Sequence, residues 1–168
     1  MNPANPSTRS YTLRISLADQ QLALIDTAGR AIQQYSVSTS KHGAGERNGS
    51  HKTPRGRHVL RARIGAGQPL GAVFRGRRPT GEIYSEALAK ACSRRDWILT
   101  RILWLSGCEP GRNRFGNVDT MRRYIYIHGA PASETMGVPG SIGCIRMTNA
   151  AVVELFELVE SGTAVHIE

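Results

Sequence analysis

The chain has 168 residues, 40% of them hydrophobic, and a formal net charge of +9, the size and make-up of one ordinary globular domain rather than a disordered tail. Its longest apolar runs, such as Leu22 to Ile25 and Ile102 to Leu105, are four residues, far short of a membrane span. Three cysteines, Cys92, Cys108 and Cys144, with no CxxC spacing, exclude a disulfide framework or a zinc ribbon.

Residues 1–10 read as an N-terminal tail, and residues 11–168 as a single domain. The opening has prolines at 3 and 6 and no apolar core, so it does not read as a secretory leader. With the cysteine pattern, which suits a reducing compartment, the expectation is a cytoplasmic protein, or a periplasmic one if a leader has been removed.

In chain order, "YTLRISL" alternates Tyr11, Leu13, Ile15 and Leu17 against polar residues, the period of a half-buried strand. "QQLALID" and "AIQQYSVS", joined by the turn "TAGR", extend it into an antiparallel meander. Residues 39–57, "TSKHGAGERNGSHKTPRGR", show no periodicity; a loop of that length inside a domain is usually functional or disordered. His42 and His51 are expected to be exposed there. "HVLRARIG" resumes strand character, with Arg61 and Arg63 sharing the face opposite Leu60, Ala62 and Ile64.

A short helix is expected from Ser85, and "WILTRILWL" reads as a buried strand. Trp97 and Trp104 are assigned to the core. "RRYIYIHG" places Tyr124, Tyr126 and His128 on one face, with His128 closing the strand just before Gly129. "TNAAVVELFELVESG" reads as a helix with Thr148 as N-cap, Val152, Leu155, Phe156 and Val159 as its apolar face, and Gly162 as its stop. "TAVHIE" is a last strand. Strands dominate and no βα alternation appears, so the fold class is mainly β: an antiparallel sandwich or barrel-like domain with a late helix packed on it.

The charge attracts anions. Nucleic acid is one such partner, yet the arginine pairs are scattered and no helix-turn-helix, zinc-finger or RNP-type motif is present. A nucleic-acid or anion-binding β module with a structural Cys144 stays open as an alternative. The other candidate for chemistry is "GSIGCIRM", residues 140–147. A free cysteine is most often a packing residue. His128, 16 positions upstream across a turn-rich segment, is positioned to activate it if the loop folds back.

"IHGAPASETMGVPGSIGCIRM" resembles the signature of the L,D-transpeptidase catalytic-domain (YkuD-like) family, which pairs a strand-end HG with a downstream S/T-H-G-C. His128-Gly129 match the first part; Ser141, Gly143, Cys144, Ile145 and Arg146 match the second. Ser38, Thr39, Thr53, Pro54 and Gly56 match the family's upstream "VSTG…TP-G" segment. The resemblance implies a cysteine enzyme acting on the bond between meso-diaminopimelate and D-Ala in peptidoglycan stem peptides. Cys144 would be the nucleophile, His128 the acid–base group and the Gly129 carbonyl its orienter. The backbone N–H groups of Ile142, Gly143 and Cys144 would hold the oxyanion. Where the family usually has His, this chain has Ile142.

Arg146 either neutralises a substrate carboxylate or makes a structural ion pair. Ser141, Arg123 and Tyr126 are further candidates for substrate contact. The resemblance calls for no cofactor and no metal. It implies stem peptides or soluble muropeptides as partners, with neither nucleic acid nor membrane. Within the family the favoured expectation is an L,D-carboxypeptidase that releases terminal D-Ala in muropeptide recycling. The alternative is a periplasmic L,D-transpeptidase that forms cross-links.

Overall fold

The structure, a computed structural model, describes residues 10–168; the expected tail falls outside it except for Ser10. β1 (Thr12–Ser16), β2 (Gln21–Ile25) and β3 (Ala31–Ser36) form the antiparallel meander. Leu13 and Ile15 are buried while Thr12 and Arg14 are exposed, because successive strand residues face opposite sides. The last strand, β10 (Ala164–Ile167), lies parallel to β1 and antiparallel to β4 (Gly56–Ile64). β4 in turn pairs with the long central strand β7 (Ile98–Gly107). From β7 the sheet forks. Its first residues pair with β5 (Ala72–Arg75), which pairs with β6 (Arg78–Ile83). Its other side pairs with β8 (Tyr126–Ala130), which runs parallel to β9 (Ile145–Thr148).

Helices are few, as expected. α1 (Glu86–Ala91) starts at Ser85, whose hydroxyl accepts from the Leu88 N–H. α2 (Asn149–Leu158) starts at Thr148, whose hydroxyl accepts from the Ala151 N–H. An N-cap of this kind satisfies a donor the helix itself cannot. α2 lays Val152, Leu155 and Phe156 against β7, β8 and β9, and each such side chain contributes about 1.5–3 kcal/mol on burial. The main core, between α2 and the sheet, holds Leu13, Leu60, Leu103, Ile127, Ile145 and Met147 among others. A second, smaller cluster on the opposite face of β7 and β8 contains Ala72, Phe74, Ile102 and Tyr126.

Three local expectations are corrected and one element is new. β8 extends through Gly129 to Ala130, so His128 lies inside the strand, and Tyr124 precedes it in a left-handed turn (φ 57°). β4 shifts register between Leu60 and Ala62, and a β-bulge re-aims the residues after it. Leu60 therefore faces the main core and Ile64 the second cluster. Arg63 stacks on Phe156 of α2, whereas Arg61 lies over Trp104; the two arginines do not share a face. The tryptophans are half-buried rather than core residues, Trp97 edge-on to Tyr84 and Trp104 against the second cluster. Finally, the β5–β6 hairpin was not legible in the pattern. Its two-residue turn is Gly76-Arg77, both with positive φ (54° and 64°), the backbone a twisted hairpin requires.

Candidate active site

β8 and β9 set the site. Their parallel register pairs Ile127 with Ile145 and His128 with Arg146, which puts Cys144 beside Tyr126 one step before β9 begins. Ile127, Ile145 and Met147 fill the main core. Tyr126, His128, Cys144 and Arg146 consequently share the other face. Two strands adjacent in the sheet thus bring together residues that the intervening loop separates in sequence.

The cysteine turn is clamped by the upstream loop. Ser38 exchanges both backbone hydrogen bonds with Arg146, each 2.9 Å. The Thr39 carbonyl accepts from the N–H groups of Gly140 and Ser141, and Thr39 is itself held by the side chain of Gln20. Thr53, fully buried, donates its hydroxyl to the Gly143 carbonyl at 2.9 Å. Ser141 is also buried; its hydroxyl donates to the Cys144 carbonyl at 2.6 Å and accepts from the Gly143 N–H at 3.2 Å. Its side chain therefore braces the turn from within. Gly143 adopts φ 135° with Ile125 Cδ1 3.3 Å from where a Cβ would stand, a conformation and a space that favour glycine.

Cys144 is half-buried, and its sulfur is held at two points. The Tyr126 backbone N–H donates to Sγ at 3.3 Å, and the thiol faces the Tyr124 carbonyl at 3.4 Å. Burial pushes its pKa up to about 12 and the Asp96 charge adds to this; the Tyr126 N–H, Arg146 and Arg123 oppose it. The resting group is a thiol. His128 is fully buried, and its Nδ1 lies 2.7 Å from the Gly129 carbonyl. A carbonyl can only accept, so Nδ1 carries the proton and Nε2 keeps a lone pair. Among the described residues Nε2 has no hydrogen-bond partner. Burial lowers the His128 pKa, so the ring rests neutral. Gly129 leaves no room for a side chain, since a Cβ there would meet Asn149 Oδ1 and lie 2.7 Å from the Leu99 carbonyl.

The three oxyanion candidates divide. The Gly143 N–H is engaged by Ser141, while among the described residues the N–H groups of Ile142 and Cys144 donate to no protein acceptor. Ile142 is 44% exposed and lines a cleft of about 520 Å³ in front of Cys144, together with Arg77, Asp96, Arg123, Tyr124 and Tyr126.

Of the two readings of Arg146, the structure shows the ion pair: its guanidinium bridges Asp96 at 3.0 Å and Glu134 at 3.1 Å and donates to the Gly140 carbonyl. Arg123 reaches back to the carbonyls of Gly45 and Lys52, pinning the upstream loop. Tyr126 presents its hydroxyl to Arg77 at 3.0 Å. Asp96 and Arg77 had no signal in the spacing, because they arrive from a loop and a hairpin tip rather than from the motif strands. His42 and His51 are exposed, and Cys92 and Cys108 are half-buried free thiols. Among the described residues no cluster of side chains suited to a metal ion occurs.

A family model described as the L,D-transpeptidase catalytic domain matches residues 10–167. Among solved structures, an L,D-transpeptidase from Xylanimonas cellulosilytica is similar at 19% identity and a TM-score of 0.54, covering 100% of this chain and 65% of that one. The L,D-transpeptidase from Mycobacterium smegmatis aligns at 14% identity and a TM-score of 0.55, over 95% of this chain and 59% of that one. L,D-transpeptidase 3 from Mycobacterium tuberculosis, in complex with a faropenem-derived adduct, aligns at 12% and 0.56, over 95% and 60%. The chain thus spans less than two thirds of the length of these structures, and at such identities they speak for the fold. No curated protein matches the sequence.

Proposed function

The chain belongs to the L,D-transpeptidase catalytic domain family, and we propose that it is a cysteine acyl-transfer enzyme acting on the meso-diaminopimelate–D-Ala bond of peptidoglycan stem tetrapeptides. The observation that carries this reading is the placement of Cys144 and His128 on one sheet face: the thiol donates to the Tyr124 carbonyl, and His128 Nε2, the ring nitrogen left unprotonated by the Gly129 contact, has no hydrogen-bond partner among the described residues. In this reading the thiol turns from the Tyr124 carbonyl toward His128 Nε2 when substrate binds, and its proton passes there as Sγ attacks the carbonyl. The oxyanion meets the N–H groups of Ile142 and Cys144, and His128 returns the proton to the departing amine. With a second proton transfer in the opposite sense, His128 then activates the acceptor that releases the acyl group.

We favour water as that acceptor, giving an L,D-carboxypeptidase that leaves tripeptide and free D-Ala, with soluble muropeptides as substrates. Two features support it. A net charge of +9 steers anionic soluble peptides to the protein. Three unpaired thiols suit a reducing compartment such as the cytoplasm. The second reading, periplasmic cross-linking by the same acyl-enzyme, differs only in the acceptor. Incubation with a disaccharide tetrapeptide alone, followed by mass spectrometry, separates them. Tripeptide and D-Ala support hydrolysis; dominant cross-linked dimers replace it with transpeptidation; intact substrate in both senses ends the acyl-transfer reading.

A further inference from the structure

Two arginines line the cleft, Arg77 and Arg123, and Arg146 lies behind it, paired with the lining residue Asp96. Arg146 is engaged by carboxylates and Arg123 by loop carbonyls. Arg77 differs. It occupies the hairpin turn between β5 and β6, and its polar partner is the neutral Tyr126 hydroxyl, 3.0 Å from Nη1. Its guanidinium lies 4.6 Å from the ring centre of Trp104 and 4.9 Å from that of Tyr124. Among the described residues no carboxylate lies within ion-pairing distance of it.

A guanidinium laid against aromatic faces keeps its in-plane N–H edge for other acceptors, and that fork matches a carboxylate. Tyr126 accepts from Arg77, so its own O–H is left to donate. Burial raises the phenol's pKa, which keeps that proton in place. Two donor groups therefore stand side by side with no anion between them. Tyr126 also sets their distance from the chemistry: its backbone N–H contacts Sγ of Cys144 while its hydroxyl contacts Arg77. The length of one tyrosine side chain separates nucleophile from cation. A single extended residue, about 3.3–3.6 Å long, fits along it with a bond at either end.

We propose that Arg77 and Tyr126 together bind the terminal carboxylate of the residue that leaves, so that the cleft selects the bond one residue from a free C-terminus. The proposal rests on the acyl-transfer reading of Cys144 and adds the element that decides which peptide bond is presented to it.

The test compares the stem tetrapeptide ending in free D-alanine with its C-terminal amide. Calorimetric binding to the Cys144→Ala protein should favour the acid by about 10–100-fold, the range for a charge-assisted bond. In Cys144→Ala/Arg77→Gln the two ligands should bind within about threefold of each other, the acid having lost the difference. A merely structural role for Arg77 would leave the ratio unchanged. Should Arg77→Gln disturb the hairpin, Tyr126→Phe removes the second donor and should cut the acid preference several-fold. Equal affinity for acid and amide, undetectable binding of the acid, or a ratio that survives both substitutions overturns the proposal. Turnover by the unmodified enzyme is read separately: failure to release D-alanine would sink the acyl-transfer reading, whereas the affinity ratio decides Arg77.

Discussion

Tyr126 offers its backbone N–H to the sulfur of Cys144 at 3.3 Å, so the strand that carries the candidate base also supplies a hydrogen bond to the candidate nucleophile. That bond stabilises a developing thiolate, but burial outweighs it and leaves the pKa near 12. The thiol also faces the Tyr124 carbonyl, so burial and geometry both favour the protonated sulfur in the absence of substrate.

Cys144 is accordingly expected to be the sole catalytic thiol. Cys144→Ala should abolish turnover, while Cys92→Ala and Cys108→Ala, at half-buried positions away from β8 and β9, should leave it within experimental error. Intact-mass measurement after exposure to a carbapenem should show a single adduct that maps to Cys144 and is lost in Cys144→Ala. An adduct on either of the other cysteines would contradict the assignment.

His128→Ala should lower kcat by about 10²–10⁴-fold, the usual contribution of a positioned acid–base group, with circular dichroism unchanged. Ile142→His restores the residue common in the family at a position that is 44% exposed. It is expected to shift the rate or the pH profile without being required for activity. Full activity in His128→Ala would remove the proton-transfer role.

The clamp on the cysteine turn predicts that a buried residue of the upstream loop, far from Cys144 in sequence, controls the chemistry. Thr53→Val keeps the shape and deletes the hydroxyl that donates to the Gly143 carbonyl. Stability should fall by about 1–3 kcal/mol, the cost of a buried acceptor left unsatisfied. Because Gly143 lies between the two free N–H groups, kcat should fall further than the stability loss explains. Kinetics alongside urea unfolding would show it; a stability loss with unchanged kcat would make the clamp purely structural.

Much of this was legible in the chain. The alternation in β1 and the apolar stripe of α2 report burial directly, because each follows the period of its element. The pair His128-Gly129 and the Ser141 to Cys144 turn were visible as a motif. The β5–β6 hairpin was not, since Pro79 and Gly81 break its alternation and its turn places an arginine, rather than glycine or asparagine, at φ 64°. The faces of Arg61 and Arg63 were misassigned because one bulged residue inverts everything after it. Arg146 was legible as a cation near the cysteine, with an ion pair as one of its two readings, but its partners were not. Its partners Asp96 and Glu134 stand 50 and 12 positions away, a relation that only the folded chain defines.

A histidine outside the site bears on stability in acid. His58 is buried on β4, with Nδ1 3.0 Å from the Gly56 carbonyl and Nε2 3.0 Å from the Thr120 hydroxyl. Burial lowers its pKa to about 4 from an ordinary value of 6.5, against the weaker opposing pull of the Gly56 carbonyl and Glu109. Between those two values the unfolded chain binds a proton that the folded chain does not, so stability rises with pH across that window and falls as the pH drops from 6.5 toward 4. His128, lowered in the same direction by burial, adds to the slope. For His58 the full loss is on the order of 3 kcal/mol, reached once the pH is below both values. Urea unfolding measured at intervals from pH 7 to pH 4 should show the decline. His58→Gln, which keeps polar contacts but cannot titrate, should flatten it even though its stability at pH 7 is lower. An unchanged slope in His58→Gln would mean that His58 is accessible to protons in the folded state and that other groups set the acid limit.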